Sequence, residues 1–145
     1  MKCILDTNVY LHAINSEIGA QLFLQRFTPL VFCTTLCSVV AQELYAGAVD
    51  RKATQLVEKY IGSLERTGRL VAPNFADWKE AGKLIAQLAR KEPSRRSKLQ
   101  QLLNDVLIAL CARGIGATVF TSNRDDFELI RRYRAFSLEV LTPSE

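Results

Sequence analysis

The chain has a single histidine, His12. That scarcity excludes a two-histidine acid–base ribonuclease mechanism. A Ser-His-Asp triad around His12 fails as well, because no nucleophile motif accompanies it. His12 is read as a structural helix residue. Four cysteines are present, Cys3, Cys33, Cys37 and Cys111, but no C-x-x-C pair. One histidine cannot complete a Cys/His zinc set of usual spacing. Three of these cysteines lie in apolar runs and read as buried small hydrophobes. Cys37, beside a candidate helix cap, is expected to be partly exposed. No disulfide is expected in a reducing compartment. The chain also lacks an apolar run of the roughly 18 residues that a membrane helix needs. Its opening, Met1-Lys2-Cys3-Ile4-Leu5-Asp6, has too short an apolar stretch for a signal peptide, and an acid interrupts it. A cytoplasmic protein with no membrane contact is expected. The phosphate-binding pattern G-x-x-x-x-G-K-[ST] is absent, and Gly114-Ile115-Gly116 lacks the remainder of a dinucleotide loop. Repeats, low-complexity tracts and dividing linkers are absent too, so residues 1–145 are expected to form one domain.

What the chain does have is an ordinary core-forming composition, 48% hydrophobic and 23% charged over 145 residues. That is enough apolar surface for a real core, and too much for a disordered chain. A net charge of +4 permits a polyanionic partner without requiring one. Strand signals fall at residues 2–6, at the β-branched run 30–35 bounded by Pro29 and Ser38, at 70–72 before Pro73, at 117–121 and at 138–141. A polar, helix-compatible stretch runs to about Phe27. Ser38 fits an N-cap for a helix over 39–46 closed by Gly47, and Asp50 the cap of a helix over 51–66 ended by Gly68. Residues 77–91 predict an amphipathic helix with Trp78, Ala81, Leu84, Ile85 and Leu88 on one face. Pro93 forces a break, after which 98–113 reads as a strongly apolar helix capped by Gly114. A last helix covers 125–134. This alternation predicts an α/β fold whose parallel sheet is covered by helices on both faces.

Four acidic motifs stand out, each at the edge of an apolar run: Leu5-Asp6-Thr7-Asn8, Gln42-Glu43-Leu44, Asn104-Asp105-Val106 and Asn123-Arg124-Asp125-Asp126-Phe127. Taken singly, three of them have a plain explanation. Asp6 suits a helix cap, Glu43 suits a helix surface, and Asp125 and Asp126 suit the first turn of a helix. Asp105 resists such a reading. Leu102, Leu103, Val106, Leu107, Ile108 and Leu110 surround it, and a carboxylate close to a buried face needs a partner. Ligands of open α/β sheets bind beyond the carboxyl ends of strands. Asp6, Glu43 and Asp126 all fall at that edge, and Asp105 must reach it from its helix. Four acids sharing one region call for a shared counter-charge, and hard oxygen donors suit Mg²⁺ or Mn²⁺.

In order and spacing, the motifs resemble those of the PIN-domain family, and within it the VapC-type toxins of bacterial toxin–antitoxin pairs. Leu5-Asp6-Thr7-Asn8-Val9 resembles the family's first motif. Ser38 with Glu43-Leu44-Tyr45-Ala46-Gly47 resembles the second, and Asn104-Asp105-Val106-Leu107-Ile108-Ala109 the third. Thr121-x-Asn123-x-x-Asp126-Phe127 resembles the fourth. The resemblance implies a three-layer PIN-like fold with a central parallel sheet of four to five strands flanked by helices. It implies a Mg²⁺- or Mn²⁺-dependent endoribonuclease with Asp6, Glu43, Asp105 and Asp126 as the acidic cluster. Asp6, Asp105 and Asp126 are the expected metal ligands, and Glu43 is a ligand or a general base. Thr121, Asn123 and Asn8 are expected to support the site or the scissile phosphate. It further implies an RNA substrate, a cognate antitoxin and a homodimer, with Leu22, Phe23, Phe27, Tyr60 and Ile61 as candidate interface residues. Asp125 departs from the pattern by competing with Asp126. Successive helical side chains point about 100° apart, so both cannot aim at one ion, and the Asn123 spacing favours Asp126.

Basic residues gather at Arg90, Lys91, Arg95, Arg96 and Lys98, and at Arg131, Arg132 and Arg134. Each group reads first as a solvated surface. As RNA contacts, Arg95, Arg96 and Lys98 lead, because they run into the helix of Asp105. Other readings are an RNA-processing or repair nuclease without an antitoxin, a receiver-like Mg²⁺-binding signalling domain, and an inactive binding module. A receiver needs a lysine after its last strand, and none follows Lys98. Four retained acids argue against an inactive module.

Overall fold

The computed structural model describes residues 1–142. Five short strands, β1 (Lys2–Leu5), β2 (Leu36–Cys37), β3 (Leu70–Val71), β4 (Ala117–Thr121) and β5 (Ser137–Val140), alternate with seven helices. The helices are α1 (Thr7–Asn15), α2 (Glu17–Phe27), α3 (Ser38–Gly47), α4 (Arg51–Arg66), α5 (Phe75–Lys91), α6 (Leu99–Ile115) and α7 (Arg124–Tyr133). All strand pairs are parallel: β1 with β4, β4 with β5, and β2 with β3. The two ladders meet beside β1, where Thr34 bridges Cys3 and the Thr35 N–H donates to the Cys3 carbonyl at 2.8 Å. The expected sheet is therefore present with a seam in it. In β1 and β4, Ile4, Leu5, Val119 and Phe120 are all buried. Consecutive strand residues face opposite ways, so helices cover both faces and the fold has three layers.

The core centres on α6, in which every residue from Val106 to Ala112 is buried. A helix apolar all round belongs in the middle of a domain. Helix α5 lies against it through Ala81, Leu84 and Leu88. Trp78, expected on that face, is instead 53% exposed. A capping box explains the earlier start: the Asn74 side chain accepts the Asp77 N–H and Asp77 accepts the Asn74 N–H. At about 100° per residue, Trp78 lies only at the margin of the face set by Ala81, Leu84 and Leu88.

Several expectations are corrected. Residues 30–35 do not form the second strand. Thr28–Cys33 is a 3₁₀ helix with Pro29 in its first turn, where a fixed φ and a missing N–H cost nothing. The strand shrinks to Leu36–Cys37. Ser38 is the first residue of α3, not its cap, and Cys37 holds the cap position. Cys37 is therefore fully buried, and Cys33 is the half-exposed cysteine. The stretch before Phe27 divides into two helices at Ser16, whose Oγ accepts the Gly19 N–H at 2.9 Å. Gly114 lies within α6. The cap is Gly116, at φ +68°, a conformation costly for residues with a Cβ.

This last correction has a measurable consequence. Gly116→Ala should destabilise the fold by about 1 kcal/mol, because the left-handed cap is lost. Gly114→Ala meets open space and should stabilise it by up to about 1 kcal/mol through helix propensity. Thermal melts of both variants test the assignment, and the reverse order would contradict it.

Candidate active site

The carboxyl ends of β1 and β4 bring the first and fourth motifs together. The Asp6 N–H extends the ladder to the Phe120 carbonyl at 2.9 Å. Its carboxylate, only 3% exposed, caps α1 by accepting the Thr7 N–H at 2.8 Å. The other oxygen accepts Thr121 Oγ1 at 2.7 Å and Asn8 Nδ2 at 3.0 Å. The capping reading of Asp6 is thus correct and compatible with a place in the cluster. Thr121 is a junction. While donating to Asp6, its oxygen accepts the Asn123 N–H at 2.9 Å and Asn8 Nδ2 at 3.3 Å.

Asn123 caps α7 and reaches two acids through one amide, Asp126 at 3.0 Å and Asp105 at 3.3 Å. Asp126 is half-buried on the first turn of α7, whereas the adjacent Asp125 is exposed. Phe127 is fully buried and anchors the turn. Glu43 approaches from α3. One of its oxygens accepts Thr7 Oγ1 at 2.6 Å, the other Asn104 Nδ2 at 3.3 Å. The sequence reading gave Thr7 and Asn104 no role, although each sits next to a candidate acid. A hydroxyl or amide beside a carboxylate motif was the available signal.

The four acids are close enough to act on one another. Asp105 is pushed up to about 8, first by burial and then by the negative charges of Asp6, Asp126 and Glu43. Burial also raises Asp6, against the pull of its hydrogen bonds. No basic side chain compensates them. Among the described residues the ion pairs are Arg26–Glu139, Arg131–Glu128 and Arg134–Glu80, all outside the cluster. Nor, among those residues, do three or more aspartate, glutamate, cysteine or histidine side chains stand together as a group that could hold a metal ion as they are placed. Each acid is hydrogen-bonded to neutral donors. The set consists of oxygen donors carrying excess negative charge at a partly buried strand edge, and it fits a hard divalent cation.

The basic groups separate. Arg131 and Arg134 are held by Glu128 and Glu80. Arg95 and Lys98, on the 3₁₀ turn Pro93–Lys98, line a cavity of about 150 Å³ together with Asp126. Arg96 is exposed nearby and reaches back to the Ala89 carbonyl at 3.4 Å. His12 is exposed at the end of α1, away from the acids' hydrogen bonds.

The pattern of the PIN domain family matches residues 3–133. No curated protein matches the chain in sequence. Among solved structures, VapBC2 from Rickettsia felis, bound to a DNA fragment from their promoter, superposes with a TM-score of 0.72. It is 22% identical and covers 98% of this chain and 100% of that one. DNA-bound VapBC from Salmonella typhimurium gives 0.68 at 23% identity over 97% and 98% of the two chains. FitAcB from Neisseria gonorrhoeae gives 0.63 at 16% identity over 94% and 95%. These likenesses establish a shared fold.

The raised Asp105 predicts how metal-free stability varies with pH. In the unfolded chain this group titrates near its ordinary 3.8, and in the fold near 8. Between those values the folded state holds the extra proton, so stability is full below about pH 4 and falls as pH rises toward 8. Asp105→Asn, which mimics the neutral form, should raise the melting temperature in EDTA by several degrees at pH 8, given about 2–4 °C per kcal/mol at this size. The gain should shrink toward pH 5. A difference independent of pH would contradict it.

Proposed function

The chain belongs to the PIN-domain family, and from that membership we propose that it is a metal-dependent endoribonuclease, the toxin of a toxin–antitoxin pair. The observation that carries the reading is Asp105. It is a carboxylate in the most buried helix, facing three other carboxylates with no basic partner. A fold tolerates such a group when a cation or the chemistry requires it.

Asp6, Asp105 and Asp126 would hold Mg²⁺ or Mn²⁺, and Glu43 would complete the set or act as the base. A divalent ion held there would polarise the phosphate and lower the pKa of a bound water. The remaining work falls to the chain. Thr7 and Asn104 fix both oxygens of Glu43, leaving it aimed to orient the attacking water and accept its proton. Thr121 and Asn8 hold Asp6. Asn123 sets the spacing of Asp105 and Asp126 through a single amide, and with Thr121 it flanks the scissile phosphate. Arg95 and Lys98 approach the same edge and would neutralise neighbouring phosphates, with Arg96 beside them.

The proposed partner is an antitoxin, supported by the likeness to VapBC and FitAcB structures. We also propose a homodimer and a cytoplasmic setting. No helix among the described residues is long and apolar enough to cross a membrane. Of the apolar residues expected at an interface, Phe27 and Ile61 fill the core. Leu22, Phe23 and Tyr60 are half-buried and stay available at its edge.

Purified protein should cleave RNA with Mg²⁺ or Mn²⁺, and EDTA should abolish cleavage. Full activity in EDTA would overturn the metal mechanism. Asp6→Asn, Asp105→Asn and Asp126→Asn should each lower the rate on the order of 100-fold or more. Asp125→Asn should change it by under about twofold, since an exposed first-turn acid contributes only a few tenths of a kcal/mol. The opposite order for Asp125 and Asp126 would shift the fourth motif by one residue. Expression alone should arrest growth, and an adjacent small gene should relieve it. Harmless expression of active enzyme would favour RNA processing without an antitoxin.

A further inference from the structure

A groove of about 580 Å³ opens beside the carboxylates, between α1 and α2 and the loop after β4. That volume lies within the range of small-ligand sites. Its inner end is built from residues of the acidic cluster's own scaffold. Asn8 lines it, and Asn8 Nδ2 also donates to Asp6. Ser122 lines it, and the Ser122 N–H donates to Asn8 Oδ1 at 3.1 Å. Leu22 and Phe23 form an apolar wall. Phe23 is fixed in place, tilted against Tyr10 and Phe27 and edge-on to Tyr60 with centroids 5.1–5.8 Å apart. His12 and Asn15, both exposed on α1, supply polar groups at the rim. Among the described residues, no lysine, arginine or carboxylate lines this groove. A separate cavity is its converse, with Arg95 and Lys98 beside Asp126.

We infer that the α1–α2 groove is a nucleobase subsite, taking the base of the nucleotide adjoining the scissile phosphate in a single-stranded RNA. This rests on the endoribonuclease reading. A base presents an uncharged π face and a hydrogen-bonding edge, and single-stranded RNA is recognised by stacking bases on aromatic rings and bonding their edges. The groove offers an aromatic and apolar wall, an amide, an imidazole and hydroxyls. A phosphate would need cations, which it lacks and the separate cavity has. The chain direction follows: sugar–phosphate past Arg95 and Lys98, cleavage at the carboxylates, the adjoining base against Phe23.

Two measurements test this together. The first follows the amide and methyl NMR signals of Leu11, Asn15 and Leu22 in EDTA during titration with nucleoside 5′-monophosphates, with ribose 5-phosphate as control. Shifts with the nucleotides alone are expected, and equal shifts with ribose 5-phosphate, or none, overturn the subsite. The second compares cleavage of one single-stranded oligonucleotide with versions abasic on either side of the scissile phosphate. Loss of one of those bases should lower kcat/KM roughly 10- to 100-fold. In Leu11→Trp, which fills the groove from a partly exposed position, and in Asn15→Ala, that sensitivity should shrink. Sensitivity unchanged in both folded variants, or insensitivity in the wild type, overturns the subsite while leaving the nuclease intact. Nucleotide shifts in a protein that cleaves no RNA would uphold the subsite and overturn the nuclease reading. A groove that takes no nucleotide but is covered by a bound partner protein would assign it to that partner.

Discussion

Like charge brought together under partial burial is the constraint around which this fold is arranged. Asp105 projects from the most apolar helix of the molecule toward three other carboxylates. Each pair repels, and desolvation adds to the cost. The molecule relieves this without cancelling it. Neutral donors, Thr7, Asn8, Asn104, Thr121 and Asn123, take the oxygens, while Arg26, Arg131 and Arg134 form ion pairs elsewhere. A lysine or arginine in the cluster would neutralise the carboxylates and compete with any cation. Neutral donors fix geometry and leave the charge available.

The same donors join distant parts of the chain. Thr121 ends β4, and through Asp6 it ties that strand to the start of α1. Thr7 connects α1 to α3 through Glu43, which Asn104 connects onward to α6. Asn123 links α6 to α7. Every element that carries an acid is therefore bonded to another that does. Parallel strands pointing the same way supply the common edge, and rigid helices on both faces hold the angles. Such pre-organisation is what electrostatic catalysis demands, because the groups need not move as charge develops.

How far the sequence disclosed this depended on the kind of signal. Asp105 was legible because leucines, isoleucine and valine surround it, and a helical carboxylate there admits few innocent explanations. The Asn123-x-x-Asp126 spacing and Phe127 favoured Asp126 over Asp125 in the sequence, and in the structure Asp126 is half-buried and Asp125 exposed. Helix α4 was legible to the residue because Asp50 and Gly68 punctuate it. The stretch 28–33 was not. An apolar, β-branched run after a proline suits a strand and a 3₁₀ turn equally, and tertiary packing decided. Gly114 and Gly116 were indistinguishable as caps because either could end the helix, and only φ tells them apart. The α1–α2 groove had no sequence signature at all, since its walls come from α1, α2 and the segments after β4 and β5, and its residue types are ordinary.

The central claim is that the four acids share one cation. Mn²⁺ soaked into crystals of the protein, located by anomalous scattering, tests it most directly. The account predicts a strong peak between Asp6, Asp105 and Asp126, with Glu43 within reach of the ion or its water, and no peak there in Asp105→Asn. Manganese bound elsewhere, in a protein that cleaves RNA with the carboxylates still turned to Asn8, Thr121 and Asn123, would contradict it.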